Sequence, residues 1–228
     1  MCNCPYSTDY CEGFTENFDD QDSASSSEIL SEVACQEEIT IVGGSMPEWS
    51  EGHLHNTCCL FAPNGWLLAK HRKIHMVNVD IPGDISFNGS DTYSVGRFMH
   101  FTENYVGRSG RGICHDIRFP QLAMVYRYRG FFVRTHFHLI CYRGAFTIST
   151  GEALWKLEQR AKPTLLSYYF LRLLYVTTCS PSRDSAGSHR IWGHSTLVNL
   201  LGEVIATLGQ DETIEIAEVD YAATQRTR

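Results

Sequence analysis

The sequence contains no apolar run of the roughly 18 residues that a membrane-spanning helix requires. Its longest apolar candidate, residues 165–176, is shorter than that and contains Arg172. The N-terminal residues show neither a basic region nor an apolar stretch behind it, so no secretory signal peptide is predicted. We therefore expect a soluble cytoplasmic protein that does not associate with a membrane.

Positive charge is also scarce. The 228 residues include 19 Lys+Arg and 26 Asp+Glu, which gives a formal net charge of −7. Because no basic stripe is present, we expect no nucleic-acid partner. Hydrophobic residues make up 43% of the chain, which is enough for the core of one large domain or two small ones.

The sequence lacks a regular cysteine framework. Its nine cysteines are odd in number and irregularly spaced, so most are expected to be reduced and packed in the core. The possible metal ligands are the pairs His53/His55 and His136/His138 and the group Cys2, Cys4 and Cys11. None has the paired spacing of a structural zinc site, and we predict no metal. A metal protein remains the alternative, because histidines two positions apart share one face of a strand.

Local patterns predict α/β structure with mixed sheets. Helical spacing of apolar residues begins at Glu28, and the residues around Asn64-Gly65 are typical of a hairpin turn. Further helices are predicted at 118–129 and 151–161, strands at 39–42, 55–61, 66–71, 136–142, 174–178 and 214–219, a hairpin at 195–208, and a loop over 78–97. Hairpins combined with strand–helix alternation indicate a layered α/β domain.

Two residues are candidates for chemistry. Cys114 lies where a short strand meets a polar turn before a helix. A thiol at such a turn projects from the edge of the sheet, and nearby backbone N–H groups can stabilise an oxyanion. Lys73 directly follows a hairpin strand. The alternatives are a packed cysteine and a solvated surface lysine.

These segments together resemble the nitrilase superfamily of carbon–nitrogen hydrolases, and within it the ω-amidase branch. The similar blocks occur in the family's order: RKIH at 72–75, DIPG at 80–83, GICHDIRF at 112–119, LICYRGAF at 139–146, SPSRD at 180–184 and WGHST at 192–196. Six ordered blocks are far more specific than a single motif.

The resemblance implies one domain over residues 1–228, built as an αββα sandwich of two mixed sheets flanked by helices. It also implies a homodimer and a reaction without cofactor. The segment beginning at Cys2 resembles one that follows a Pro-Glu pair in the family, so we expect the opening strand–helix unit and its general-base Glu to be missing. Residues 162–174 are expected to form an atypical insertion.

The resemblance assigns roles to three residues. Cys114 would be the nucleophile, while Lys73 and the N–H of His115 would stabilise the oxyanion. Ammonia would leave, and water would hydrolyse the thioester. The implied substrates are small dicarboxylate monoamides such as α-ketoglutaramate and α-ketosuccinamate. Arg118 and Arg183 are weaker candidates for binding the carboxylate. Relatives of this branch also occur in mitochondria, which gives a second possible location.

Several positions depart from the family pattern. Gly89 stands where a second acid is expected, Arg143 replaces a Pro, and Ser109 and Arg111 occupy a strand that is otherwise apolar. A buried unpaired arginine costs several kcal/mol, so the strand must shift, expose Arg111 or provide it with a partner. Loss of an acid–base group lowers rates by ~10² to 10⁴. The alternative function is therefore a catalytically inactive nitrilase-fold fragment with a binding or oligomerisation role.

Overall fold

The computed structural model describes residues 13–20, 25–80, 86–98, 102–104, 107–132, 137–170, 174–183 and 190–222. Cys2, Cys4, Cys11 and His136, which the sequence offered as metal ligands, lie outside these ranges. So do residues 81–83 and 184 of the family-like blocks. The chain divides into two compact units, residues 1–100 and 101–228, and each is described by itself.

The first unit contains an antiparallel sheet and a helix packed against it. Helix α1 spans Ser25–Gln36, and the sheet has the order β1 (Ile41–Ser50), β2 (His53–Phe61), β3 (Leu67–Arg72). Ala34 of α1 packs with Cys59 and Phe61 of β2. The predicted helix and hairpin are confirmed.

The hairpin turn and the start of α1 show why these elements form. Gly65 has φ +81°, and its N–H donates to the carbonyl of Ala62 at 2.9 Å. This left-handed conformation costs glycine little. At the helix start, the carboxylate of Glu16 accepts the N–H groups of Ser26 and Ser27 at 3.1 and 3.2 Å. Such bonds satisfy donors that the first turn of a helix leaves open.

The prediction of a continuous loop over 78–97 is wrong. The short strands β4 (Asn78–Asp80) and β5 (Ser86–Asn88) pair antiparallel, and a single helical turn, α2 (Gly89–Thr92), follows them. The side chain of Asn78 explains this local order. It donates to Ser90 Oγ at 2.7 Å and accepts the Ser90 N–H at 3.2 Å, which draws the two ends of the segment together.

The second unit is built on a six-stranded mixed sheet with helices. Its strands are β6 (Thr102–Asn104), β7 (Gly107–Ile113), β8 (Phe137–Arg143), β9 (Tyr175–Cys179), β10 (Thr196–Val198) and β11 (Val204–Thr207), in the spatial order β11-β10-β9-β8-β7-β6. The central strands β7, β8 and β9 run parallel, whereas the outer pairs are antiparallel. A short 3-10 segment, Cys114–Arg118, precedes α3 (Pro120–Phe132), and α4 spans Ile148–Phe170. We refer to Cys114–Arg118 as the 114–118 turn.

Two predictions for the second unit require correction. Helix α4 is much longer than the predicted 151–161, because the stretch from residue 162 continues it to Phe170 despite Pro163. The predicted strand at 214–219 is wrong, since Ile214 and Ile216 are 86% and 90% exposed and no strand forms there. Hydrogen bonds of residues 209 and 210 to His194 and Arg183 hold the chain just before this segment. No helix in the described ranges is long and apolar enough to cross a membrane.

Arg111 is buried within β7, which is the case in which the sequence predicted an energetic cost unless the side chain has a partner. Its Nη2 donates to Ser109 Oγ at 3.4 Å, and the two residues lie two apart on the same strand. Tyr126 of α3 donates its hydroxyl to the Arg111 carbonyl at 2.8 Å. The strand thus keeps the arginine buried rather than exposing it, and Ser109 supplies one bond to its guanidinium.

Candidate active site

Three parallel strands end level at one edge of the six-stranded sheet. The last residues of β7, β8 and β9, which are Ile113, Arg143 and Cys179, are paired in register. Cys114 and Gly144 come next along the chain, and the Gly144 N–H donates to the Cys179 carbonyl at 3.0 Å. Ligands of α/β proteins bind at the carboxyl ends of such strands. The sheet therefore places Cys114 where a substrate is expected.

Cys114 has an unusual backbone conformation. Its φ is +49°, a value that residues other than glycine seldom adopt and that costs roughly 1–3 kcal/mol. Its thiol is free, and the residue is only partly buried. A Cβ added to Gly144 would lie 3.7 Å from the Cys114 Cα, so the end of β8 runs beside it. Strain of this kind concentrates at functional sites.

The 114–118 turn is held by Asp116. One oxygen of this fully buried carboxylate accepts the Ile113 N–H at 2.9 Å, and the Asp116 carbonyl accepts the Phe119 N–H at 3.2 Å. The ring of His115 makes an edge contact with Phe119 at a centroid distance of 5.4 Å. His115 directly follows Cys114, so its backbone N–H belongs to the same closed turn.

Arg118 ends the 114–118 turn and forms an ion pair with α4. Its Nε lies 3.2 Å from Glu158 Oε1, and its guanidinium lies 5.8 Å from the centre of the Phe146 ring. Burial raises the pKa of Glu158, and the charges of Arg118 and Lys162 partly oppose that rise. Burial likewise lowers the pKa of Lys162. Arg118 thus compensates a half-buried carboxylate of the protein itself.

Arg183 connects two separate loop segments. Its Nε donates to the Ile191 carbonyl at 2.8 Å, its Nη2 to the Trp192 carbonyl at 3.0 Å, and its Nη1 to the side-chain oxygen of Gln210. The Arg183 N–H also donates to the Gln210 carbonyl at 2.8 Å. The guanidinium therefore fixes the chain that follows β9.

Lys73 lies in the first unit, immediately after β3. It is only 6% exposed, so the alternative of a solvated surface lysine is wrong. Its N–H donates to the Asn56 carbonyl and its carbonyl accepts the Gly96 N–H, both at 2.8 Å. Across the described ranges, no carboxylate forms an ion pair with its ammonium group.

A buried acid in the sheet that leads to Lys73 was not identified from the sequence. Glu48 of β1 accepts bonds from Arg72 Nε at 2.8 Å, Arg72 Nη2 at 2.9 Å and Thr57 Oγ1 at 2.6 Å, and its carboxylate lies 3.0 Å from Lys70 Nζ. Burial alone would raise the pKa of Glu48, but these partners outweigh it and lower the pKa to about 2. The available indication was an acid within β1 of the same sheet whose strand β3 carries Lys70 and Arg72.

The proposed metal ligands that the structure describes bond to the protein instead. His55 Nδ1 lies 3.0 Å from the Ser94 carbonyl, and His53 Nδ1 lies 3.4 Å from Ser94 Oγ. Within the part of the chain that is described, no group of three or more His, Cys, Asp or Glu side chains is arranged to hold a metal ion.

Comparison with known proteins decides the family. The carbon-nitrogen hydrolase family model matches residues 2–228. The chain belongs to the carbon–nitrogen hydrolase family. As a carbon–nitrogen hydrolase it is 47% identical over 227 residues to a chloroplastic omega-amidase of Arabidopsis thaliana, and 42% identical over 218 residues to the omega-amidase NIT2 of Bos taurus. These alignments cover 99% and 96% of this chain, but 58% and 73% of the two relatives. The chain thus spans little more than half the length of the Arabidopsis protein.

Solved structures confirm the fold prediction for this carbon–nitrogen hydrolase. The crystal structure of Saccharomyces cerevisiae Nit3, a member of branch 10 of the nitrilase superfamily, is similar with a TM-score of 0.83 and 31% identity. That similarity covers 98% of this chain and 76% of the yeast chain. The predicted resemblance to the nitrilase superfamily and the predicted α/β nitrilase-like fold are both confirmed.

Proposed function

We propose that this carbon–nitrogen hydrolase is of the ω-amidase type and hydrolyses the amide of a small dicarboxylate monoamide, such as α-ketoglutaramate or α-ketosuccinamate. The observation that carries the proposal is Cys114, which follows a central parallel strand with a strained φ of +49°. The relatives named omega-amidase, at 42% and 47% identity, support the choice of substrate class.

The proposed reaction needs only a thiol, a proton acceptor and water. The Cys114 thiol loses its proton to the acceptor and its sulfur attacks the amide carbonyl; the C–N bond then breaks, and that proton passes to the departing nitrogen, which leaves as ammonia. Water then attacks the thioester and releases the carboxylic acid and the free thiol. The scheme involves no cofactor.

The oxyanion of each tetrahedral intermediate requires donors. The N–H of His115 is assigned to it because this residue adjoins Cys114 in the closed turn. Lys73 is assigned as the cationic donor, and its buried position supports a functional rather than a solvating role. Arg118 and Arg183 are weaker assignments for the substrate carboxylate, because each already bonds to protein groups.

Ammonia release from α-ketoglutaramate tests the proposal. We expect release by the wild-type chain and by Cys179→Ala, which removes an exposed thiol at the end of β9. Cys114→Ala is expected to release no ammonia above the buffer background, because it removes the nucleophile. A wild-type rate equal to that of Cys114→Ala would refute the proposed activity.

A second candidate is a catalytically inactive family member with a binding or oligomerisation role. Gly89, which is buried at the start of α2, stands where the family resemblance places an acid, and this favours the second candidate. It predicts that an electrophilic amide analogue leaves Cys114 unlabelled. It also predicts co-elution with a co-expressed full-length relative in size-exclusion chromatography. Separate elution of the two chains would contradict it.

A further inference from the structure

Asp116 bonds to the backbone on both sides of Cys114. Its carboxylate accepts the N–H of Ile113, the residue before Cys114, at 2.9 Å. Its own carbonyl accepts the N–H of Phe119 at 3.2 Å, which closes the far end of the 114–118 turn. The residue is fully buried, and no step of the proposed reaction uses it.

The conformation of Cys114 requires such support. A non-glycine residue at φ +49° persists only where the surrounding structure determines it more strongly than local sterics oppose it. On the upstream side, Ile113 is paired with Arg143 of β8. The Asp116 carboxylate ties the same residue to the turn. Cys114 is therefore anchored through its upstream neighbour to both the sheet and the turn.

The Asp116 side chain has little freedom to move. A Cβ added to Gly112 would lie 3.3 Å from the Asp116 Cβ and 2.4 Å from Cε1 of Tyr142. Tyr142 is itself only 2% exposed. Asp116 is thus packed against the carboxyl ends of β7 and β8, and its bond to Ile113 is preorganised. A preorganised bond can fix a neighbouring backbone accurately.

We propose that Asp116 is a positioning residue for the nucleophile. Through the Ile113 N–H it holds the backbone of Cys114 so that the sulfur and the His115 N–H keep one orientation toward the amide carbonyl. Asp116 itself does not touch the substrate. This inference rests on the proposed function, because positioning affects turnover only if Cys114 is the nucleophile.

Paired substitutions test the role through steady-state kinetics. Asp116→Ala removes the acceptor and is expected to lower kcat by about 10- to 100-fold with little change in KM, as small misplacements of reacting groups do. Asp116→Asn keeps an oxygen acceptor and is expected to stay within about fivefold of the wild-type kcat. If the negative charge of Asp116 were required, Asp116→Asn would lose kcat as Asp116→Ala does.

Glu16→Ala is the matched control. Glu16 is also a buried carboxylate that accepts backbone N–H groups, but it lies at the start of α1 in the first unit. We expect its kcat to match the wild type. Equal losses of kcat in Glu16→Ala and Asp116→Ala would mean that the loss comes from general destabilisation of the fold, and this would overturn the inference. If Asp116→Ala does not fold, a loss of more than about tenfold in Asp116→Asn would overturn it instead.

Thiol labelling separates this inference from the proposed function. Iodoacetamide labelling of Cys114 relative to the exposed Cys179, read by peptide mass spectrometry, requires no turnover. Asp116→Ala is expected to lower the Cys114:Cys179 ratio at least about fivefold, because relaxation of the strained φ withdraws the sulfur. Asp116→Asn is expected to keep the ratio. An unchanged ratio in Asp116→Ala would overturn the positioning role, whereas an inactive wild type with the expected ratios would refute only the hydrolase activity.

Discussion

Glu48 shows how the first unit tolerates a buried charge. Three side chains, Arg72, Thr57 and Lys70, donate to or face its carboxylate, and two of them lie on the strand that leads directly to Lys73. Removing one partner of a buried ion pair leaves an uncompensated charge and is strongly destabilising. The network therefore stabilises the local sheet on which the candidate oxyanion lysine depends.

The low pKa of Glu48 makes its contribution to stability depend on pH. Its folded-state pKa of about 2 lies below the ordinary value of 4.5, so the ionised carboxylate stabilises the fold above pH 4.5. That contribution is lost as the pH falls from 4.5 toward 2. Relative to Glu48→Gln, the wild type is expected to be more stable by roughly 3 kcal/mol at pH 7, and by less at pH 3.

Urea unfolding at the two pH values measures this difference. Glu215→Gln, at an exposed position, serves as the control and is expected to change stability by less than about 0.5 kcal/mol at either pH. A gap between wild type and Glu48→Gln that is the same at pH 7 and pH 3 would contradict the assigned ion-pair network.

At the scale of elements, α4 depends on close packing at its first turns. A Cβ added to Gly151 would lie 2.2 Å from Cγ of Trp192, and the Trp192 N–H bonds to the Phe146 carbonyl at 2.8 Å. The side chain of Trp155, one turn further along, donates to the His194 carbonyl at 2.6 Å. Loop 190–194 thus lies against the helix with no room for a methyl group.

This packing reverses the usual effect of alanine in a helix. Helix propensity alone would make Gly151→Ala stabilising by about 1 kcal/mol. The collision with Trp192 predicts the opposite, a loss of about 1–3 kcal/mol from overpacking. Gly209→Ala is the control, because a Cβ there meets nothing within 4 Å. Thermal unfolding is the measurement, and a Tm for Gly151→Ala above that of the wild type would contradict the packing.

Sequence patterns predicted the elements whose causes are local. The hairpin turn at Asn64-Gly65 and the helical spacing after Glu28 depend on nearby residues, and both elements form. The alternation at 214–219 was misleading, because a strand also needs a neighbouring strand to pair with. The extent of α4 and the burial of Lys73 depend on tertiary packing, so spacing along the chain did not reveal them.

In the candidate site, too, the features with local causes were predicted from the sequence and those that depend on tertiary contacts were not. Cys114 and its turn were predicted from residue types and from family-like blocks, which are contiguous in sequence. Asp116 was overlooked although it lies within the same block, because its function is a bond to a backbone N–H rather than a recognisable motif. Glu48 was overlooked because its partners come from two other strands.

Exposure of the 214–219 segment leads to a prediction about its side chains. Ile216→Ala is expected to change the free energy of unfolding by less than about 0.5 kcal/mol, since the side chain is 90% exposed. Ile140→Ala, the same change in the buried centre of β8, is expected to cost about 2–5 kcal/mol. Chemical denaturation of both variants measures this. A large loss in Ile216→Ala would show that the segment is covered by protein in solution.

At the scale of the whole molecule, the family resemblance predicts a homodimer. Sedimentation equilibrium at micromolar concentration is expected to give twice the 25.8 kDa chain mass. Large apolar side chains such as Trp66 and Ile214 are exposed in the single chain, and exposed apolar surface often marks an interface. A species of 25.8 kDa at every concentration tested would contradict the dimer.

Because β7, β8 and β9 end level, the residues that hold the sheet together are distinct from the residues that form its edge. The paired residues of these strands hold the sheet together, whereas the segments that begin at Cys114, Gly144 and Ser180 leave it at one rim. Changes in those rim segments can alter what binds at this edge without disturbing the strand pairing. The same sheet can therefore support different loops at this rim while its strand pairing stays intact.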